Sequence, residues 1–424
     1  MQYYSKYQRC DTTLLLSKEV RFTNFVQKIQ AIHGVFGRAG DYYGGMDTVL
    51  QHIIDRIRAS NAAKTPLRIR GGGTKDFLAE QLGGDVLDMS ALRGIVSYEP
   101  SELVVTVKAG TPLAELEAIL ASQGQCLPFE PPRYAATAAA QSTVGGMVAA
   151  GLSGPPRASV GAVRDSVLGV QMLNGRAEHV TFGGQVMKNV AGYDVSRLMV
   201  GSWGMLGVIT EVSLKVLPVA PGEATLCFAM SQAHALAQLN HWGGEPLPLN
   251  ASAWVSQAEH YANQPMLFVR LRGALAAVEA ACTKMLQQHP GTRMDNAKAQ
   301  ADWTMCRDMR LPFFSPPPGQ EACLWRISLP QTAPVLDLPY PTLIEWHGAQ
   351  RWLWAPHSEG ARIRETVQKA GGNTTLFIAA RANEHWASSR FDPLKPPLDR
   401  IHRQLKAEFD PAGIFNPGRM PWFT

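Results

Sequence analysis

The first sustained periodicity in the chain follows Met46, where Val49, Leu50, Ile53, Ile54 and Ile57 recur at helical spacing with charged residues between them. Residues 1–45 behave differently. Tyr3, Tyr4 and Tyr7 crowd the start, and Gly34, Gly37, Gly40, Gly44 and Gly45 punctuate the end without a period, so a poorly ordered extension is expected there. From Pro66 to about Pro218, short β segments alternate with turns and helices. Leu67-Arg68-Ile69-Arg70 reads as a strand running into Gly71-Gly72-Gly73. Ile95 to Tyr98 and Leu103 to Val107 read as a hairpin. Thr111 reads as the cap of a helix with Pro112 at its first position and Gly124 past its end. Val167 to Leu173 and Ala177 to Phe182 flank Asn174-Gly175, which suits a two-residue type I′ turn. Gly207 to Leu217 alternates, predicting Val208, Thr210, Val212, Leu214 and Val216 on one face and Glu211, Ser213 and Lys215 on the other.

After Pro218-Val219-Ala220-Pro221-Gly222 the texture changes to Ala/Leu helices, scattered Trp and a Pro-rich loop at Pro316-Pro317-Pro318, so a second domain is expected from 221 to 395. Residues 46–220 form the first domain. A final helix is expected from Leu398 to Phe409, within a C-terminal segment covering 396–424. The fold class this predicts is α+β.

With 424 residues, 46% of them apolar, the chain can build two proper cores. It has no apolar run of about 18 residues and no leader-like N-terminus, which points to a cytoplasmic protein. Cys10, Cys126, Cys227, Cys282, Cys306 and Cys323 contain no C-x-x-C pair, so neither zinc nor an iron–sulfur cluster finds its usual spacing and no metal is expected. The net charge of +5 is mild and no basic run or aromatic-basic stripe is present, so nucleic acid is not an expected partner. Weak attraction to anionic lipid or an acidic partner is all it supports.

The chemistry concentrates in glycine-rich loops. Arg70-Gly71-Gly72-Gly73-Thr74-Lys75 ends a strand, and consecutive glycines let backbone N–H groups converge on a diphosphate. A flexible glycine turn explains that stretch equally well in isolation, and its spacing is not that of a Walker loop. Ser142-Thr143-Val144-Gly145-Gly146 predicts a helix starting near Thr143 with free N–H groups for an anion and room for a flat ring. Gly151, Ser153 and Gly161 follow, then Arg164-Asp165, then Gly201-Ser202-Trp203-Gly204 and Gly207-Val208-Ile209-Thr210-Glu211-Val212.

The order and spacing of these motifs resemble the FAD-binding domain of the vanillyl-alcohol-oxidase, or PCMH-type, superfamily. More closely, Lys188-Asn189-Val190-Ala191-Gly192-Tyr193-Asp194 and Gly201-Ser202-Trp203-Gly204 resemble glycolate oxidase FAD-binding subunits, the likeness running from Met46 to the end. The resemblance implies a two-part FAD-binding domain, an α+β cap domain, and a C-terminal segment that returns to the FAD domain. It implies that Arg70, Gly71, Gly72, Gly73 and Thr74 hold the diphosphate and that Ser142, Thr143, Gly145 and Gly146 line flavin and diphosphate. Gly151, Ser153 and Gly161 would continue that wall, and the backbone of Ile209 would meet the adenine. Relatives with covalent flavin use a histidine in the first glycine loop. Thr74 stands there in this chain, which implies noncovalent FAD.

The resemblance further implies partners: a larger glycolate-oxidase flavin subunit that binds glycolate and an iron–sulfur subunit that drains electrons toward quinone, with possible peripheral contact at the inner membrane. His241, His260, His289, His347, His357, His385 and His402 form none of the histidine-rich motifs of the larger subunit. Glu345 to Trp354 reads as strand, Gly turn, strand. On it, Arg351 is the candidate for holding a substrate carboxylate, against a reading of the hairpin as tryptophan packing with Arg351 stacked on a ring. Trp303 and Arg307 admit the same two readings. Two other roles stay open: a self-sufficient FAD oxidoreductase acting on a 2-hydroxy acid, and a chain that holds FAD only as an assembly scaffold.

Overall fold

The computed structural model describes residues 48–134, 141–184, 194–261, 263–317, 321–380 and 389–421. The N-terminal extension and the Lys188 to Tyr193 motif lie outside the described residues. The first helix, Thr48–Ala63, buries Ile53, Ile54 and Ile57. They pack on Leu67, Leu87, Ile414 and Phe415.

The first half is built on a five-stranded antiparallel sheet, in the order Ile95–Glu99, Val104–Lys108, Val208–Lys215, Val167–Leu173, His179–Gly183. Helices Leu113–Ser122 and Val144–Ala150 supply Leu113, Leu116, Leu120, Val144, Met147 and Val148 to its core. A separate parallel pair, Leu67–Arg70 with Asp85–Asp88, carries the glycine loop at the end of its first strand. The second half is an eight-stranded sheet with Gln232–Gly243 and Leu275–Gln288 over one part and Gly360–Lys369 over another. Between the halves, Leu78, Ala150, Trp203 and Met205 meet Leu324, Leu343, Trp352, Trp354 and Phe377.

The chain end returns to the first half. Leu67 N donates to Ile414 O at 2.7 Å and Asn416 N to Leu67 O at 2.8 Å, so residues 414–416 run along the Leu67–Arg70 strand. The helix Leu398–Phe409 adds Leu405 and Phe409 to the first core. Asp410 fixes this return, accepting from Lys406 Nζ at 2.7 Å, Phe415 N at 2.8 Å and Ile414 N at 3.1 Å. Lys406 also donates to the carbonyls of Met205 and Phe415.

Three local expectations are corrected. The loop after Leu173 spans Asn174 to Glu178 rather than two residues, because Asn174 Oδ1 accepts from the N–H groups of Arg176 and Glu178. Gly175 serves the docking of the C-terminal helix: its N–H donates to Phe409 O at 2.8 Å, and a Cβ there would lie 2.6 Å from Asp410 Oδ1. Thr111 does not cap the following helix, since its hydroxyl is taken by the N–H and C=O of Gly94. Val208–Lys215 is central, so its two faces are both largely buried, and Ser213 there bonds Thr106 Oγ1 at 2.9 Å.

Candidate functional site

A groove enclosing about 710 Å³, its open side included, runs between the glycine loop, the start of the Val144–Ala150 helix, the 203–209 stretch and the chain end. Arg70, Gly71, Gly72, Gly73, Thr74, Thr143, Gly145, Gly146 and Ile209 line it, as do Lys75, Asp76, Ala109, Trp203, Gly204, Asn416 and Arg419. Ser142 stands just behind, its hydroxyl 2.9 Å from Thr74 Oγ1. Gly151, Ser153 and Gly161 are not among the lining residues. Gly151 closes the helix at φ +64°. Ser153 Oγ accepts from Val163 N. Gly161 packs on Asp165, whose carboxylate accepts from Ala162 N at 2.8 Å.

The glycine loop is shaped by its neighbours. Side chains on Gly71 and Gly72 would collide with the Thr143 hydroxyl and the Gln141 carbonyl, so small size here is what lets the loop lie against residues 141–143. Gly73 takes φ +68°, and Arg70 folds back over it to donate to Asp76 Oδ2 at 2.8 Å. In this shape the N–H groups of Gly71, Gly72, Gly73, Thr74 and Lys75 find no acceptor among the described residues. Successive unpaired N–H groups around a concavity form an anion site.

The helix start behaves otherwise. Val144 N donates to Thr111 O, Gly145 N to Ala109 O and Gly146 N to Thr143 Oγ1, so the expected free N–H groups are already used. A Cβ on Gly145 would lie 2.6 Å from that of Ala109, so this glycine permits helix-to-strand packing rather than clearing space for a ring.

Two cations reinforce the nest. Lys75 is 8% exposed, with Nζ 3.2 Å from Thr74 Oγ1, 3.3 Å from Ser142 Oγ and 5.7 Å from the centre of the Tyr134 ring. Burial lowers its pKa to about 8, with Asp308 pulling upward and Arg419 adding to the lowering. Arg419 lies 4.9 Å from the Trp203 ring and donates to Lys75 O at 2.9 Å; burial lowers it to about 10. Asn416 donates to Trp203 O at 2.7 Å, holding Trp203 and Gly204 at φ +54° and +70°. Sequence reasoning missed Lys75, Asn416 and Arg419 as lining residues, although Lys75 ends the glycine-rich stretch that drew notice and the other two lie in the C-terminal segment expected to return to the first domain.

The other candidates sit elsewhere. Arg351 is 1% exposed, and all three of its nitrogens donate to backbone carbonyls, of Gly348, Ala333 and Pro334, the last two at 2.6 Å, so the guanidinium is held inside the second half rather than presented to the groove. Nor does it stack on tryptophan; Arg326 does. Trp303 Nε1 donates to Thr225 Oγ1, its ring lies under Arg270, and Arg307 pairs with Asp308. His347 sits between Ser159 and Ser252, and burial lowers it to about 4. Among the described residues no group of three His, Cys, Asp or Glu is placed to hold a metal, and no helix is long and apolar enough to cross a membrane.

Fold and groove together define a PCMH-type FAD-binding oxidoreductase, with a glycine-rich loop lining the groove and a second sheet packed against the first half. The FAD binding domain family model matches residues 48–195. The glycolate oxidase subunit GlcE of Escherichia coli (strain K12) is 43% identical over 87% of this chain and 97% of that protein. The glycolate oxidase subunit GlcD of Bacillus subtilis (strain 168) is 30% identical over 41% of this chain and 37% of that one. Among solved structures, an alkyldihydroxyacetonephosphate synthase aligns with a TM-score of 0.60 at 15% identity, covering 87% of this chain and 75% of the other, a likeness of fold alone. The chain belongs to the family of the glycolate oxidase subunit GlcE, and its cofactor is FAD.

Proposed function

We propose that this chain is the FAD-binding subunit of a glycolate-oxidising complex, taking part in conversion of glycolate to glyoxylate. Its partners would be a larger flavin subunit that binds glycolate and an iron–sulfur subunit that passes electrons toward quinone, at the inner face of the cytoplasmic membrane. The observation that carries this reading is the 43% identity reaching across 97% of a glycolate oxidase subunit.

In this reading, residues 46–220 are the FAD-binding domain, 221–395 the cap and 396–424 a segment that packs back. Bound FAD supplies hydride acceptance at its flavin ring. The N–H groups from Gly71 to Lys75 hold the diphosphate, with Lys75 and Arg419 balancing its charge. Ser142 and Thr74 orient the Lys75 ammonium. Thr143, Gly145 and Gly146 wall the cofactor, and Ile209 meets it through its backbone. Thr74 offers no nitrogen for attachment, so the FAD is noncovalent.

The test is reconstitution of the complex with a Gly72→Val chain, whose added side chain must displace the Gln141 carbonyl. Assembly should persist while glycolate-dependent dye reduction falls at least a hundredfold. Full activity from an assembled, flavin-free chain would leave it a scaffold.

A further inference from the structure

The sheet face packed toward the FAD half holds a cation that does not line the groove. In the antiparallel pair of Ala322–Ser328 and Gln350–Pro356, Arg326 stands opposite Trp352, while Ile327 stands opposite Arg351. Successive residues point to opposite faces. Trp325, Ile327 and Leu353 pack under the Gly360–Lys369 helix, whereas Leu324, Trp352 and Trp354 meet the FAD half. Arg326 therefore faces the FAD half and Arg351 faces away.

The Arg326 guanidinium lies 5.3 Å from the centre of the Trp346 ring and 5.9 Å from that of Trp352. Its Nε donates to Gln350 Oε1 at 2.8 Å. Gln350 Nε2 donates to Glu345 at 2.9 Å, and Glu345 also accepts from Trp352 Nε1 at 2.7 Å and Cys306 Sγ at 3.3 Å. The supporting side chains are thus mutually satisfied. The two terminal nitrogens of Arg326 are not, finding no acceptor among the described residues. Neighbouring arginines differ: Arg270 pairs with Glu130, Arg307 with Asp308 and Arg133 with Glu117.

Arg326 is also joined to the groove by an aromatic wall. Trp352 lies 5.0 Å from Phe377, Phe377 lies 6.1 Å from Tyr134, and the Tyr134 ring carries Lys75 at 5.7 Å. A guanidinium flanked by two rings, with its fork free, matches the planar geometry of a carboxylate. We infer that Arg326 receives the carboxylate of a small hydroxy acid between the two sheets, on the wall formed by Trp346, Trp352, Phe377 and Tyr134. This rests on the proposed oxidation of a hydroxy acid, and gives this chain an acid-binding site of its own.

The experiment uses the full chain with its FAD, titrated with glycolate and with oxalate, which cannot be oxidised in the same way, following the flavin absorbance and the heat of binding. Saturable binding is expected in the wild type. Arg326→Gln should weaken it more than tenfold at unchanged FAD content, and Arg326→Lys, which keeps the charge but not the fork, should fall between. In the assembled complex Arg326→Lys should raise KM several-fold with kcat largely kept. Wild-type-like binding in FAD-loaded Arg326→Gln or Arg326→Lys overturns the assignment, as does a FAD-loaded wild-type chain that binds neither probe. A wild-type chain that holds no FAD would instead sink the functional reading on which it rests.

Discussion

At the scale of single residues, Lys75 has the most to do. With burial holding its pKa at about 8, the ammonium is intact below that pH and is lost above it. A diphosphate favours the charged form, so FAD binding should be tight and flat in pH below about 8 and weaken as pH rises beyond it. Lys75→Met should cost about 1.5–3 kcal/mol of FAD affinity, roughly tenfold or more in Kd, and remove that pH dependence. Fluorescence titration with FAD across the alkaline range measures both effects, and an unchanged slope in Lys75→Met would place the ammonium away from the cofactor. Asp410 is 1% exposed and stands under Lys406. Asp410→Ala leaves a buried ammonium with only carbonyl partners and should lower unfolding stability by about 3–5 kcal/mol, read from denaturant melts. The glycine loop was legible in the sequence because glycine runs are rare and their geometry is local. Arg326 was not: the sequence reading singled out Arg351 beside its tryptophans, and only the strand pairing shows that Arg326 faces the FAD half while Arg351 faces away.

At the scale of elements, strands and helices with local signatures lie where the pattern puts them: Leu67–Arg70, Val167–Leu173 and Leu398–Phe409 match the expected ranges. The misreadings arose where a distant segment took over a local signal. Asn174-Gly175 looked like a hairpin turn, yet Gly175 is small because Asp410 stands against it. Thr143 does cap its helix, but strand-end carbonyls from Ala109 and Thr111 consume the N–H groups that sequence reasoning assigned to an anion. Every groove-lining residue lies at or beyond Ile69, so a chain beginning at Met46 should keep its FAD content and melting temperature. A lost flavin signal would mean that the first 45 residues pack on the groove. The two halves are joined through Glu130, which accepts from Arg270 at 2.9 Å and from Arg272 at 2.6 Å. Burial pushes its carboxyl upward, but the two arginines outweigh this and hold it below its ordinary value of 4.5. Its contribution is therefore present above that value and lost as pH falls through the lowered one. Glu130→Gln should melt at lower temperature at neutral pH and converge with the wild type in acid. Parallel curves at all pH values would contradict this linkage.

At the scale of the whole molecule, two sheets with separate cores meet across a third apolar layer, and the groove forms where the chain end closes against the first strand. That arrangement lets residues near both ends of the described chain, Lys75 and Arg419, line one groove and bond to each other. The central claim is that this fold holds one FAD per chain, by contacts alone. Purified protein precipitated with acid or heat, and its supernatant assayed for FAD, tests it most directly. The account predicts about one equivalent of free FAD in the supernatant and a colourless pellet. Flavin retained in the pellet would contradict noncovalent binding, and a flavin-free native chain that cannot be loaded with FAD would contradict the claim as a whole.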